Sequence, residues 1–323
     1  MNPILLPSNR PAERFYRGGA RISAFRGEEG TAPREPEDWI GSTTTVSGEP
    51  ALGLTTLPDG RVLRDAIEQD PIAWLGDDHV ARWGADTRLL VKLLDAGQRL
   101  PVHAHPHDDF AARHLGRAHG KAEAWYVLQG GTVHVGLKED VDSSALVDLV
   151  TRQDVTALLG LLHEIEVAEG DVVWVPPGEL HAIGAGILLL ELQQPEDLSI
   201  LLEWEDFAID GAALGHLGLG FDLALAAVNR RGRSDAEIST LVSTAPASAF
   251  PAAADEYFRL ERIPVDGSVV IDGGFSIVVV SDGRIAIDGE QSSAGAALLV
   301  PHAAGALEAT GRGELLVARP PAP

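Results

Sequence analysis

Apolar residues fall in short runs with strand spacing over most of the chain, interrupted by stretches with helical spacing. Residues 1 to about 60 are rich in Gly, Pro, Thr and Arg and hold short extended patches such as STTTVSG at 42–48. Residues 65–75 and 77–83 carry the spacing of short helices before TRLLVKLLDAG returns to a strand. The segment between His105 and Glu123 is too long for an ordinary hairpin loop and predicts a short helix over 108–114, covering whatever lies beneath it. A second helical pattern at about 139–165 has Ser143 or Ser144 and Asp154 as N-cap candidates. Leu158, Leu159, Leu161 and Leu162 read as packing residues there, and His163 as a helix-terminal histidine. AIGAGILLLELQQ and SILLEWEDF then read as extended, and 211–250 as short helices and linkers. Beyond residue 255, SVVID, FSIVVV, RIAID, AALLV and ELLVA alternate with turns. The expected organisation is mainly β, with one unit over 1–250 that carries the helical insertion and a second over 251–323.

Composition narrows the partners. With 48 acidic against 25 basic residues, a net charge of −23 disfavours nucleic acid and anionic membrane surfaces, both polyanions. A few local cations can still hold a small anion. The absence of cysteine excludes disulfides and thiolate ligands, so any metal must be held by nitrogen and oxygen; it also fits a cytoplasmic enzyme. No apolar run of 18 residues occurs, and the N-terminus lacks a stretch of signal length, so a soluble, unexported protein is expected.

Two stretches concentrate the chemistry. In the first, Gly97 is followed by five residues and then His103-Ala104-His105. Strand alternation puts both imidazoles on one face and Val102 and Ala104 on the other. Glu123 follows in KAEAWYVL, on an inward-facing strand where a lone carboxylate is costly unless a cation meets it. In the second, Gly170 opens a short apolar strand stopped by Pro176, Pro177 and Gly178, and His181 lies just beyond the turn. His103, His105, Glu123 and His181 are the candidate metal ligands. His107, His114 and His119, in the covering segment, read as loop histidines.

These spacings resemble the two cupin motifs, which imply small antiparallel jelly-roll barrels with a divalent metal held by three histidines and a glutamate. The C-terminal unit echoes the second motif in Gly295-AALLV-Pro301, but Ala303 and Ala306 stand where glycine and histidine belong, and Ser276 stands where the glutamate would be. It reads as a degenerate, metal-free unit with a structural or dimer-forming role, which makes a homodimer the expected assembly.

The order TRLLVKLLDA, HAHPHDDFA, GKAEAWYVL, helical insertion, EGDVVWVPPGELHAIGAGILLLELQQ is similar to the short bacterial type I mannose-6-phosphate isomerases. That resemblance implies a zinc-dependent aldose–ketose isomerase binding a small-molecule sugar or sugar phosphate; Mn, Fe, Ni and Co also suit imidazole. It implies that the metal polarises the carbonyl and stabilises a cis-enediolate. Lys121, or a carboxylate among Glu203, Glu205 and Asp206, would move the proton between C2 and C1. His103 stands where the family has Gln. The family's arginine after the second motif falls on Leu201, or on Ile200 with a one-residue shift, and neither can bind phosphate. IGSTTTVSG lacks the Glu and Trp expected after its glycine. A sugar-binding or regulatory protein without catalysis and a metal-dependent oxidoreductase are the alternative readings.

Overall fold

The computed structural model describes residues 1–30, 32–244 and 249–323. The described residues are mainly β and form three antiparallel sheets, none of them closed. The first has six strands in the order Val242–Thr244, Asp171–Val175, Glu123–Gln129, Leu188–Gln193, Leu90–Asp95, Glu37–Ile40. The second has five, Ile200–Leu201, His103–Ala104, His181–Ile183, Gly131–Leu137 and Leu162–Val167. The third is C-terminal: Ala297–Val300, Ser276–Ile287, Leu307–Arg319 and Arg259–Ile271 lie side by side, and Glu290–Ser293 pairs with Ser276–Ile287.

The apolar runs are explained by which faces are covered. Leu90–Asp95 and Leu188–Gln193 are buried at every position, and the main core holds Val91, Leu93, Trp125, Leu189 and Leu190. The segments Ser276–Val280, Ala297–Val300 and Leu315–Arg319 of the C-terminal sheet are buried on both faces. Ile277, Val279, Leu299 and Leu316 join the main core, whereas Val278, Val280, Leu298 and Leu315 form a separate core within that unit. Strand alternation therefore sends successive residues of FSIVVV into two different cores, which removes the need for polar residues. The division at residue 250 is not a clean cut: Ile4–Leu5 pairs with Leu299 and Leu298, adding an N-terminal strand to the C-terminal sheet.

Several local expectations hold. Short helices occupy Leu63–Gln69, Pro71–Leu75 and Asp77–Trp83, and the covering segment carries a helix at Asp108–Phe110 that widens into a π-turn at Ala111–Leu115. The insertion forms helices Ser143–Arg152 and Val155–Gly160, and Asp154 caps the second by accepting from the Ala157 N–H at 3.1 Å. Others need correction. Asp142, not Ser143 or Ser144, is the N-cap of the first helix. The insertion ends before Leu162, and His163 lies on the strand Leu162–Val167, because LHEIEV follows the period of a half-buried strand. AIGAGILLLELQQ is two strands separated by a turn, and residues 42–48 form no strand.

Candidate metal centre

The first and second sheets meet at the candidate ligands. The core beside the insertion holds Val102 and Ala104, so His103 and His105 lie on the opposite face, as alternation requires. His103 pairs directly with His181 across neighbouring strands, and Glu123 comes from the first strand position of the facing sheet. Gly178 makes the turn possible: its φ is +84°, its N–H donates to the His105 carbonyl at 2.6 Å, and a Cβ there would lie 2.9 Å from the Ala227 carbonyl oxygen. One backbone bond thus ties the two motifs together.

One ligand atom from each of His103, His105, Glu123 and His181 lies within 4.8 Å of the others, and all four residues are buried. Each imidazole is oriented by the main chain. The Nδ1 atoms of His103, His105 and His181 lie 2.8, 2.7 and 2.9 Å from the carbonyl oxygens of Pro101, Leu198 and Glu179. A carbonyl can only accept, so each Nδ1 carries the hydrogen and each neutral Nε2 keeps its lone pair for the centre. Burial, then the neighbouring His181 and His105, keep His103 well below its usual pKa; burial, then Lys121, lower that of His105 to about 3. The buried His181 Nε2 has no hydrogen-bond partner among the described residues. Three neutral imidazole nitrogens and a carboxylate fit a divalent cation, as in catalytic and structural sites built from such donors.

The rest of the cavity is densely charged. Lys121 Nζ lies 2.5 Å from Glu123 Oε2 and 2.9 Å from His105 Nε2, and Trp125 Nε1 donates to Glu123 Oε1 at 3.1 Å. Burial opposes the Lys121 ammonium, but Glu123 and Glu191 outweigh it and hold its pKa above the ordinary value. Lys92 sits between Glu191 at 3.5 Å and Glu37 at 3.7 Å, its Nζ 4.8 Å from the centroid of the Trp39 ring. Tyr16 and Trp39 donate to Glu37 at 2.6 and 2.9 Å, and Arg14 bridges Glu37 and Asp197. Burial and then Glu123 raise the Glu191 pKa, and its Oε1 has no hydrogen-bond partner among the described residues. Arg14, Tyr16, Glu37, Lys92, Lys121, Glu191, Asp197 and Ser199 surround a cavity of about 30 Å³ beside His103 and Glu123. A wider chamber of about 500 Å³ shares Arg14, Phe15, Asp197 and Ser199 with it.

The structure brings Lys121 into the cavity but not Glu203 or Glu205. Glu203 is buried elsewhere: it forms an ion pair with Arg99 through both oxygens and accepts the Val102 N–H at 2.9 Å, bracing the strand that leads to His103. Glu205 and Asp206 lie in an exposed turn, and neither lines the small cavity. His107, His114 and His119 stay outside the ligand cluster, and His119 instead pairs with Asp86 at 2.6 Å. After the second motif the side chains alternate between two environments. Ile200 and Leu202 enter the core beside the insertion, and Leu201 lines the wider chamber. No Glu or Trp stands between Gly41 and Gly48, while Glu37 and Trp39 precede Gly41 on the strand Glu37–Ile40. Sequence reasoning also passed over Lys92 and Glu191, although a charge inside LLVKLLD or ILLLELQ has to find a partner once both faces are buried.

No protein-family model matches the chain. The chain is 36% identical over 120 residues to mannose-6-phosphate isomerase ManA of Bacillus subtilis, covering 35% of this chain and 36% of that one. It is 39% identical over 112 residues to mannose-6-phosphate isomerase of Streptococcus mutans, covering 34% of each. The matched segments therefore span about a third of those relatives' length. Superposition is far more extensive: the crystal structure of the mannose 6-phosphate isomerase from Bacillus subtilis matches with a TM-score of 0.74 at 22% identity, covering 99% of this chain and 100% of that one. The chain thus has the fold of a solved mannose 6-phosphate isomerase, with a buried cluster of three histidines and one glutamate able to hold a metal ion.

Proposed function

We propose that the chain is a metal-dependent aldose–ketose isomerase acting on a sugar phosphate, with mannose 6-phosphate and fructose 6-phosphate the first pair to test. The observation that carries this reading is the ligand cluster standing beside buried Lys121 and Glu191 in one cavity. The names of the curated relatives point to the same reaction. We read the two β units, 1–250 and 251–323, as cupin-like jelly rolls, the second without ligands and suited to a homodimer contact.

A divalent cation on His103, His105, Glu123 and His181, with zinc the first choice and Mn, Fe, Ni and Co as alternatives, would supply Lewis-acid polarisation of a carbonyl and its neighbouring hydroxyl. The protein's groups move the proton. Glu191 is a buried carboxylate whose Oε1 accepts no hydrogen bond among the described residues and is met there only by the longer ion-pair contacts of Lys92 and Lys121, so it takes the proton from one carbon and returns it to the next. Lys92 and Lys121, 3.5 and 3.8 Å from Glu191, hold its charge, and Lys121 also keeps Glu123 ionised. Burial of all these groups excludes water that would compete for the proton. Glu203 and Glu205 give up the role the sequence offered them, because neither reaches this cavity.

The test is reconstitution with each metal followed by assays on phosphorylated and free sugars. Isomerisation is expected with at least one metal, and Glu191→Gln should lower kcat by about 100-fold or more at full metal content. Binding of sugar without turnover would replace this reading with a sugar-binding protein, and oxygen consumption with an oxidoreductase.

A further inference from the structure

No side-chain cation among the described residues lining the cavity at the metal centre is left unengaged for a dianion. Among the described residues lining it, the cations Arg14, Lys92 and Lys121 face the carboxylates Glu37, Glu123, Glu191 and Asp197, so the cations are outnumbered. Each cation is also engaged. Arg14 spends its guanidinium on Glu37 at 2.9 Å and on Asp197 at 3.0 and 3.1 Å; Lys92 is held between Glu37 and Glu191, and Lys121 by Glu123. The wider chamber next to it has largely aliphatic walls, including Leu115, Leu198, Leu201 and Leu217. Leu201 faces this chamber at the position where an anion-binding arginine was expected.

The same chamber is lined by Arg117, which reaches it from the covering segment. Its backbone is fixed by Gly116, whose φ of +64° ends the π-turn, and by a 3.2 Å bond from the Arg117 N–H to the Ala111 carbonyl. Its side chain is 43% exposed and, among the described residues, makes one ion pair, a loose contact of Nε with Glu196 at 3.4 Å. The terminal nitrogens of a guanidinium form a fork that suits a phosphate, and apolar walls strengthen a charge pair beyond its value in open water. The chamber, about 500 Å³, has the size of a small-ligand site. Ser47 and Ser199 add hydroxyls to the lining.

We propose that Arg117 receives the phosphate monoester end of the substrate, so that the covering segment supplies the cation that position 201 lacks. This rests on the isomerase reading above and adds to it the residue that selects a phosphorylated sugar over a free one. The anchor lies on a different element from the one where sequence similarity directs attention.

The test uses the full-length, metal-loaded protein and three variants: Arg117→Gln, Leu201→Arg and the two combined. Calorimetric binding of mannose 6-phosphate and steady-state kinetics on mannose 6-phosphate and mannose are measured at matched metal content. Arg117→Gln should weaken binding and raise KM for the phosphorylated sugar by about 10- to 100-fold, the loss of a charge-assisted contact. Metal content and any activity on mannose should stay within about twofold of the parent, and the combined variant should regain much of the lost affinity. An unchanged KM in Arg117→Gln, or an equal loss for both sugars, overturns the anchor while leaving the isomerase reading intact. A parent protein that neither binds nor turns over mannose 6-phosphate overturns both.

Discussion

In the second sheet, Pro176, Pro177 and Gly178 turn the chain so that His181 arrives beside His103; in the C-terminal sheet, Pro301 leads into a short turn at His302–Ala304, and Ala306 follows. The contrast repeats at the carboxylate. Glu123 is met by Lys121, Trp125, His105 and His181, whereas Ser276 is buried and its hydroxyl has no partner among the described residues. The C-terminal unit is held by an apolar core that includes Val278, Val280, Leu315 and Val317. Apolar alternation is thus enough to preserve a sheet, while a metal centre needs a matched set of charges around it.

The strongest way to break this contrast is to remove a ligand. His181→Ala should lower metal affinity by more than about 100-fold, exceeding what loss of an outer partner costs, and elemental analysis of the purified protein checks it; one metal per chain retained would sink the assigned set. Next comes the opposite manipulation. Leu315→Ala, in the C-terminal core, should cost about 2–5 kcal/mol in denaturant unfolding while metal per folded chain stays at the parent level. If metal were lost in proportion, the two regions would not be separable.

A third variant separates bracing from chemistry. Glu203→Gln should destabilise by about 1–3 kcal/mol, because it weakens the pair with Arg99, and should leave kcat within severalfold of the parent. A drop of 100-fold in kcat with unchanged stability would restore Glu203 as the proton carrier. The smallest effect concerns the seam between the two regions. Tyr126 donates to Glu314 of the C-terminal sheet at 3.1 Å, and burial, then Glu314, push its phenol up to about 12 from an ordinary 10. The unfolded chain loses this proton first, so the contribution is complete below pH 10 and disappears as pH rises through about 12. Unfolding titrations across that window should show a shallower decline for Tyr126→Phe than for the parent.

Much of this arrangement was legible in the sequence because it depends on short-range rules. The period of two placed His103 and His105 on one face, and the Pro-Pro-Gly stop placed His181 after a turn; both are local consequences of backbone geometry. The aliphatic runs of the C-terminal unit likewise announced strands. What escaped was long-range pairing. Arg14, Glu37 and Asp197 are far apart in the chain, and only the tertiary fold makes them one network. Glu203 looked free to act because nothing near it in sequence reveals Arg99 as its partner. Lys92 and Glu191 were detectable in principle, since each interrupts an apolar strand, but their mutual contact at 3.5 Å depends on the pairing of those two strands.

The three Nδ1 contacts at the metal centre end on the carbonyls of Pro101, Leu198 and Glu179. No substitution at those positions deletes a carbonyl, so the instruction that aims the imidazoles is carried by the course of the chain and not by the identity of a neighbouring side chain. Residues around the centre can then drift, and the metal's preferences or the substrate's grip can be retuned, without erasing the orientation of the ligands. Such a centre is vulnerable mainly to changes that move the backbone itself, and Gly178 is the clearest of these: a side chain there would meet the Ala227 carbonyl oxygen at 2.9 Å, in a left-handed backbone conformation that favours glycine, at the residue whose N–H joins the two ligand-bearing stretches.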